Sequence, residues 1–416
     1  MDGNEILLLG LGIQAPWKLM NQYLDTDKTP HELHLEVKAE RGSEYACPEC
    51  GQLCKAHDFQ EKIWRHLNFF QHHCYIHASV PRVKCPEHGV KLIDVPWARK
   101  GSAFTLLFEQ AALTLVREMP VNAAARIIEI TDKRLWRIVE HYVDKAVAQF
   151  DLSDVKAIGL DETASKRGHN YVTIFIDMEK RQEPVLFVTA GKGKKTLNQF
   201  ADFLKAHEGD PTRIQEAVCD MSPAFLSGVT ATLPNAEITV DWFHIVQTFT
   251  RALDDVRKQE GQIKPLPKHL RWGLLKRGDD ADRLTTNQLK ALAELLDQGL
   301  DTATAWRIKE RLRWIRLAKT PRAARWRITR FIGYARELIG ESTLLEPVRK
   351  ALETLEKHAE RVVRRWTSTY TNAHMEGLNS LFQAARARAR GYRNNRTFMT
   401  MIYMIASPAG SILKST

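Results

Sequence analysis

The sequence predicts a multidomain protein of mixed α and β structure (class α+β), and three observations support this prediction. Cysteine and histidine residues cluster between residues 46 and 95. Short apolar runs alternate with helical patterns over residues 155–245, whereas residues 246–370 are basic and have helical periodicity. A chain of 416 residues is long enough for two to four such domains.

The charge of the chain favours a polyanionic partner. Its 61 Lys and Arg residues outnumber its 50 Asp and Glu residues, which gives a net charge of +11. No apolar run approaches the roughly 20 residues of a membrane-spanning helix, so we expect none. The six cysteines, most of them near the N-terminus, do not resemble a disulfide scaffold, so we expect a reducing, cytoplasmic setting.

Two short segments have the spacing of zinc knuckles. Cys47 and Cys50 form one pair, Cys85 and His88 form the other, and a glycine follows each pair. This spacing lets two side chains of each segment converge on one tetrahedral Zn²⁺, while the glycine permits a tight turn. We therefore predict one structural zinc within an N-terminal domain over residues 1–100, with strands at 34–38, 63–67 and 80–83. Buried free thiols in a turn are the alternative.

Residues 101–150 are predicted to form a helix-turn-helix DNA-binding domain. Apolar residues have helical spacing over 104–117 and again over 119–128, and a further helix begins at Asp132 after a turn at 129–131. The start of that last helix bears Lys133, Arg134 and Arg137, where a recognition helix would contact DNA. A helical hairpin that only packs against the protein is the alternative.

The order of strands and helices over residues 155–245 is that of a ribonuclease-H-like fold. Strands are expected at 155–160, 171–177 and 184–189, and the turns between them predict an antiparallel meander. A helix at about 195–207, a strand at 214–219, a helix from Pro223 and a strand at 236–240 follow. In this layout the ends of the first and fourth strands lie side by side.

Three carboxylates occupy informative places in this layout. Asp161 follows the first strand, Asp220 follows the fourth, and Glu376 lies in a helical pattern near the C-terminus. Two Mg²⁺ ions about 4 Å apart, held by carboxylate oxygens, can activate a nucleophile and stabilise the leaving oxygen of a phosphodiester. We expect Asp161 to bridge both ions, and Asp220 and Glu376 each to hold one side.

Each of these carboxylates also has an ordinary structural explanation, because Asp is common in turns and helix caps. Asp241 follows the fifth strand and is the strongest rival of Asp220 as the second ligand. His244 is expected near the site, where it could contact a phosphate or simply begin a helix. Glu162 should point away from Asp161 if the strand continues.

A basic segment lies between Asp220 and Glu376. Residues 306–330 contain ten Lys or Arg and one acid, with three interleaved Trp that we expect in the core, base-stacking wedges being the alternative. A solvated helix face normally mixes signs, so the excess favours contacts to DNA phosphates. The last 40 residues contain six Lys or Arg and no Asp or Glu. The predicted DNA contacts of these two segments are Arg313, Arg316, Arg322, Arg325, Arg386, Arg390 and Arg393.

Four runs, taken in this order, resemble the ISL-three family of bacterial insertion-sequence transposases. They are GLDE at 159–162 with RGHNY at 167–171, CDMSPAF at 219–225, VDWFH at 240–244, and NAHMEGLN at 372–379. The resemblance covers nearly the whole chain, including the zinc knuckles, although His88 stands where a Cys might be expected. Histidine is an equally competent zinc ligand.

The resemblance implies a DDE transposase with Asp161, Asp220 and Glu376 as its catalytic residues and Mg²⁺ or Mn²⁺ as its cofactor. Its ribonuclease-H-like catalytic domain would span 151–250 and 366–416, interrupted by an all-α insertion over 251–365. It would bind terminal inverted repeats in double-stranded DNA, cleave the ends and join their 3′-hydroxyls to target DNA. We expect at least a homodimer, in the bacterial cytoplasm at the nucleoid. A catalytically inactive, domesticated DNA-binding regulator and a structure-specific nuclease are the alternatives.

Overall fold

The computed structural model describes residues 11–412, apart from 12, 14, 41, 167–169, 265, 267–284, 369, 371 and 372. The chain divides into two compact units, the first ending at Tyr142 and the second running from Val143 to Ile412. The four predicted domains are finer than this division, and their limits stay predictions. No helix in the described part of the chain is both long and apolar enough to cross a membrane.

A six-stranded sheet forms much of the first unit. In sheet order β1-β2-β5-β4-β3, with β6 beside β5, only β2 and β5 are parallel neighbours. The long β4 and β5 form an antiparallel ribbon that contains the predicted strands at 63–67 and 80–83, and the predicted strand at 34–38 lies within β2. The strands are β1 (Trp17–Asp25), β2 (Glu32–Ala39), β3 (Glu44–Ala46), β4 (Leu53–Phe69), β5 (His72–Cys85) and β6 (Gly89–Leu92).

Three helices follow this sheet, in agreement with the sequence. They are α1 (Leu106–Glu118), α2 (Val121–Ile127) and α3 (Asp132–Val147). The turn between α2 and α3 contains Glu129 in the left-handed region, with φ of 55°. The Glu129 carboxylate lies 2.6 Å from His73 Nε2, which attaches the turn to β5. The buried face of α3 includes Leu135 and Ile138.

A five-stranded sheet organises the second unit. Strands β7, β8 and β9 form the predicted antiparallel meander, and β10 and β11 join it parallel to β7, in the order β11-β10-β7-β8-β9. The side-by-side placement of the first and fourth strands is therefore confirmed. The strands are β7 (Ala157–Ala164), β8 (Tyr171–Asp177), β9 (Val185–Ala190), β10 (Glu216–Cys219) and β11 (Glu237–Val240).

Strand β7 is longer than the sequence predicts. We expected it to end at Leu160, directly before Asp161, but it continues to Ala164. The ladder with β8 pairs Asp161 with Ile174 and continues to Ala164, so backbone groups beyond Leu160 have partners. Asp161 therefore lies inside the strand, and successive side chains of a strand point to opposite faces. This places Glu162 on the other face.

Helices α4 (Lys194–Ala206) and α5 (Pro223–Thr232) connect these strands. Phe200 of α4 stacks on Phe175 of β8 with ring centroids 4.4 Å apart, so the apolar face predicted for this helix is buried against the sheet. At the other end of the unit, α13 (Asn395–Ala406) lies along β9, where the Tyr403 hydroxyl accepts the N–H of Val188 at 2.9 Å. The C-terminal α14 (Pro408–Ile412) follows.

Between Trp242 and Trp366, every regular element in the described residues is helical. Most of these helices share one apolar core with the end of β11, and this core includes Val240, Ile308 and Phe331. The elements are α6 (Trp242–Ile263), α7 (Thr286–Asp297), α8 (Asp301–Arg316), α9 (Pro321–Ile339), α10 (Glu346–Lys357), α11 (Ala359–Val363) and a 3₁₀ turn (Arg364–Trp366). Helix α12 (Ala373–Arg388) then returns the chain to the sheet.

Candidate functional site

The strand register places Asp161 and Asp220 at neighbouring positions. Strand β10 pairs in parallel with β7, and the pairing includes Val218 opposite Gly159. Asp220 is two residues beyond Val218, so it comes level with Asp161 at the end of β10. The Asp220 carboxylate accepts the backbone N–H of Ser222 at 2.9 Å, a local turn contact that uses one of its oxygens.

Asp241 lies one strand further from Asp161. Strand β11 is separated from β7 by β10, and neighbouring strands are about 4.8 Å apart, so the two residues are roughly 10 Å apart across the sheet. The charge of Asp241 acts on the Arg365 guanidinium, whose pKa is lowered mainly by burial. The charge of Asp220, in contrast, acts on Asp161. These charge contacts group Asp220 with Asp161 and Asp241 with Arg365.

Helix α12 holds Glu376 against β7. Asn379 Nδ2 donates to Asp161 Oδ2 at 2.7 Å, and Gln383 Nε2 donates to Thr163 Oγ1 at 2.6 Å. Residues three or four positions apart share a helix face, so Glu376 occupies the preceding turn of this same face. Sequence analysis did not single out Asn379 or Gln383. Their spacing of three and seven positions from Glu376 is the signal that could have found them.

Asp161 is the electrostatic centre of the site. Burial raises its pKa to about 6, the backbone N–H of Glu162 and the His244 imidazole lower it, and the charges of Asp220 and Glu376 raise it. His244 therefore lies close enough to act on the site, as the sequence predicts. Several like charges in a half-buried site repel one another unless a cation compensates them.

The donor set of this site suits hard divalent cations, which prefer oxygen ligands. Among the described residues, Asn379 Oδ1 and His244 Nε2 are buried and have no hydrogen-bond partner. The carboxylates of Asp161, Asp220 and Glu376 do not form a group in which single ligand atoms all lie within 4.8 Å of one another.

The four predicted zinc ligands converge in the first unit. Cys50 Sγ lies 3.7 Å from Cys85 Sγ, and His88 Nδ1 lies 3.6 Å from Cys85 Sγ and 3.9 Å from Cys47 Sγ. All four ligand atoms lie within 4.8 Å of one another. Sulfur atoms bound to a tetrahedral zinc at about 2.3 Å are about 3.8 Å apart, so the cluster has the dimensions of one zinc site.

Local features of the two knuckles support this site. Gly51 and Gly89 have φ of 76° and 68°, in the left-handed region where glycine is unstrained. The His88 imidazole lowers the pKa of the Cys85 thiol to about 6, which makes a thiolate ligand available at neutral pH.

A second close group of metal-ligand types lies on β1 and β2 and consists of Asp25, Glu32 and His34. The Lys28 ammonium lies 2.5 Å from Glu32 and 3.8 Å from Asp25. This cation already compensates both carboxylates, so we assign no metal to the group.

The basic residues predicted on the recognition helix are all exposed to solvent. Lys133, Arg134 and Arg137 are exposed at the start of α3. The Arg134 guanidinium also lies 5.3 Å from the centre of the Phe104 ring, so this side chain has a contact within the protein.

The predicted bases of α8 and α9 fall into two groups. Arg313, Arg316 and Arg322 are exposed. Arg325 is exposed too, but its guanidinium makes a bidentate ion pair with Glu360 at 2.8 and 2.6 Å. This ion pair connects α9 to α11. A contact of Arg325 with a DNA phosphate would therefore have to displace it.

The predicted basic residues near the C-terminus line a cavity of about 590 Å³, and none of the described residues that line it is acidic. Arg390 and Arg393 line this cavity together with Lys166, whose Nζ donates to the carbonyl oxygen of Arg393 at 2.5 Å. Arg386 also lines it, and its guanidinium donates to the carbonyl oxygen of Ala164 at the end of β7. The basic cavity therefore adjoins the strand that contains Asp161.

Comparison with known families agrees with this arrangement. Residues 158–402 match the ISL3 model of DDE transposases, which is more than half of the chain. The chain belongs to the ISL3 family of transposases. Residues 93–143 of this ISL3 transposase match the helix-turn-helix domain of the same family, and residues 43–88 match the zinc finger of the transposases of IS204, IS1001, IS1096 and IS1165. The resemblance seen in the sequence, the helix-turn-helix and the zinc ribbon are confirmed.

Individual relatives support the same family. The ISL3 transposase is 27% identical over 371 residues to the "Transposase for insertion sequence element IS1001" of Bordetella parapertussis, a match that covers 86% of this chain and 87% of that protein. It is 28% identical over 222 residues to the "Transposase for insertion sequence element IS1557" of two Mycobacterium tuberculosis strains. That match covers 51% of this chain and 48% of the relative.

The Asp161 carboxyl is expected to make stability depend on pH when no Mg²⁺ is bound. Its pKa of about 6 in the folded protein exceeds its ordinary value of 3.8, so folding favours the protonated form. Its contribution to the free energy of unfolding is full below pH 3.8 and is lost as the pH rises to about 6. We expect Asp161→Asn to raise the free energy of unfolding by about 2 kcal/mol at pH 7.5 and by much less near pH 4.

Urea denaturation of zinc-loaded protein without added Mg²⁺ measures this difference. Asp202→Asn, which changes an exposed carboxylate on α4, is the matched control and should have little effect at either pH. A stabilisation by Asp161→Asn that is the same at both pH values would contradict the prediction.

Proposed function

We propose that this transposase binds the terminal inverted repeats of an insertion sequence, cleaves the ends and joins the freed 3′-hydroxyls to target DNA by two-metal-ion chemistry. The observation that supports this most directly is the grouping of Asp161, Asp220 and Glu376 at one place on the sheet. Hydrogen bonds from a helix far along the chain maintain that grouping. A purely structural role for all three acids would not require like charges to be held together.

The topology supports a ribonuclease-H-like core. An antiparallel meander followed by two parallel strands gives the order β11-β10-β7-β8-β9, in which the first and fourth strands are neighbours, as expected for that fold. We propose that residues 151–250 and 366–416 form this catalytic domain. Residues 251–365 would be its all-α insertion, residues 101–150 the DNA-reading domain and residues 1–100 the zinc-binding domain.

Each residue of the site has a defined part in the proposed chemistry. Asp161, Asp220 and Glu376 would together hold the Mg²⁺ or Mn²⁺ ions. When bound, the ions would activate the attacking oxygen and stabilise the leaving oxygen. Asn379 would orient the Asp161 carboxylate through the 2.7 Å hydrogen bond, and its own side-chain oxygen is buried without a hydrogen-bond partner among the described residues. His244 would contact a phosphate oxygen.

DNA recognition would use several surfaces. We propose that the zinc ribbon and the exposed basic residues of α3 bind the terminal repeats. The basic residues of α8, of α9 and of the cavity beside β7 would contact phosphates. Most DNA affinity comes from such phosphate contacts, and base contacts add specificity. Two ends must be processed together, so we expect at least a homodimer.

The decisive experiment incubates the purified protein and Mg²⁺ with DNA that carries the element's own ends, in the presence of a target plasmid. We expect metal-dependent cleavage and joined products. Cleavage without joining would indicate a nuclease, whereas end binding without either reaction would indicate a regulator. Both outcomes would contradict the proposal.

A comparison of two substitutions tests the assignment of the second ligand. Because Asp220 acts on Asp161 whereas Asp241 lies beside Arg365, Asp220→Ala should abolish cleavage and Asp241→Ala should leave most of it. Rates on the same end DNA, with binding measured in parallel, provide the test. The opposite ranking would transfer the role to Asp241.

A further inference from the structure

Trp326 does not lie where the sequence predicts. We expected the three Trp residues of the basic segment to belong to the core. Trp306 packs against the core of the helices, and Trp314 is half-buried, but Trp326 on α9 is 55% exposed. The expectation is wrong for Trp326, whose large apolar ring is open to a partner.

Guanidinium groups surround the Trp314 and Trp326 rings. The two rings meet edge to face with centroids 5.6 Å apart. Arg330 lies 5.8 Å from the Trp326 ring centre, and Arg311 and Arg327 lie 5.0 and 5.3 Å from the Trp314 ring centre. An aromatic face flanked by cations suits a ligand that combines a flat ring with negative charge.

Hydrogen bonds hold this aromatic pair on a fixed support. Arg327 on α9 donates from Nη1 to the Trp314 carbonyl on α8 at 2.6 Å, which joins the two helices near their connection. At that connection, Trp366 Nε1 donates to the Ala318 carbonyl at 2.8 Å. The connection is thereby attached to the 3₁₀ turn at 364–366.

The same turn contacts the sheet edge that bears the acids. Trp366 packs edge to face on Trp242, with ring centroids 6.4 Å apart. Trp242 directly follows Asp241 at the end of β11, the strand beside β10 and Asp220. A rigid chain of contacts therefore connects the exposed indole to the edge of the candidate active site.

The charge of this segment indicates the nature of the ligand. Residues 311–336 contain nine Lys or Arg residues and no acid. Nucleic acid supplies both a phosphate for the guanidinium groups and a ring for the indole. Bases in a continuous duplex are already stacked on their neighbours, so only an unpaired base presents a free face.

We propose that Trp326 is a stacking platform for an unpaired base of the DNA being processed, with Arg330 and its neighbours holding the adjoining phosphates. This inference rests on the proposed function as a DNA-processing enzyme, and it adds a conformation of the substrate, an unpaired base. An enzyme that cuts a paired end would gain from holding a displaced base away from the duplex.

The test measures binding, without added Mg²⁺, to a fully paired duplex and to the same duplex with a short run of mismatched thymines. We expect the parent protein to prefer the mismatched duplex by at least about fivefold, as a single base–aromatic stack allows. Trp326→Ala should remove this preference, and Trp326→Phe should keep most of it. Because no cleavage is measured, failure of the cleavage proposal would leave this result interpretable.

The control is Leu338→Ala, which shortens another side chain of α9 that is 36% exposed. It should leave the preference unchanged, and melting temperatures should show that all variants fold. A preference that persists in Trp326→Ala, or that Trp326→Phe loses to the same extent, would overturn the proposal. A change of oligomeric state without a change of preference would make this face a subunit contact and would also overturn it.

Discussion

Asp161→Asn and Glu376→Gln are each expected to slow strand cleavage by at least about 1,000-fold, because metal ions at such sites contribute several kcal/mol to transition-state stabilisation. Both substitutions nearly keep the size of the side chain while they remove the negative charge that a cation needs. Neither residue lies in the helix-turn-helix or the zinc ribbon. Binding to end DNA should therefore remain close to that of the parent protein.

A smaller loss of cleavage rate is expected when the substitution affects a residue that contacts a proposed metal ligand. Asn379→Ala removes the 2.7 Å hydrogen bond to Asp161 but leaves all three carboxylates in place. Loss of a residue that orients a metal ligand typically costs about 10- to 100-fold. Its rate should fall between those of the parent and Asp161→Asn, and raised Mg²⁺ should restore part of it.

Single-turnover cleavage of labelled end DNA, with a binding assay on the same DNA, measures these effects. Loss of binding in parallel with cleavage would show that the substitutions disturb folding. Cleavage that survives Asp161→Asn or Glu376→Gln would remove that residue from the proposed catalytic set. Equal effects of Asn379→Ala and Asp161→Asn would show that Asn379 does more than orient its neighbour.

Loss of the structural zinc is expected to have a large effect on stability and on DNA binding. The cluster joins the segment between β3 and β4 to the turn between β5 and β6, two places that are distant in the sequence. Structural zinc contributes about 10–16 kcal/mol to the folding of isolated zinc-finger peptides. Cys85→Ser should therefore destabilise the first unit, lower its melting temperature and abolish specific binding to end DNA.

Matched substitutions separate metal binding from general damage. Cys54→Ser changes a cysteine on β4 that is outside the four-ligand group and should behave like the parent protein. His88→Cys replaces one competent zinc ligand by another and should retain the metal. Elemental analysis should find about one zinc per chain in the parent and in both controls, and much less in Cys85→Ser. Full zinc content in Cys85→Ser would contradict the assignment.

Several features of this protein could be predicted from its sequence because they depend on residues that are close together in the chain. A zinc knuckle is a short spacing of ligands with a glycine, so its residues could be identified without any knowledge of the fold. The meander at 155–190 was equally visible, because alternating apolar runs and turn residues are local signals. Strand β8 was predicted with the bounds that the structure has, Tyr171–Asp177.

Features that depend on partners distant in sequence were predicted less well. The extension of β7 past Asp161 comes from its ladder with β8, and Arg325 pairs with Glu360 on a separate helix. Asn379 contacts Asp161 across 218 positions of sequence, so no window of sequence shows that contact. The exposure of Trp326 also depends on how α8 and α9 pack.

The sequence by itself identified the residues available for function in this transposase: four candidate zinc ligands, three candidate catalytic acids with Asp241 as an alternative, and an excess of basic residues. Only the tertiary structure decided which of them meet. The parallel register of β7, β10 and β11 puts Asp220 next to Asp161 and Asp241 one strand further away. Hydrogen bonding between neighbouring strands fixes that order, and it is a property of the assembled sheet that no single strand contains.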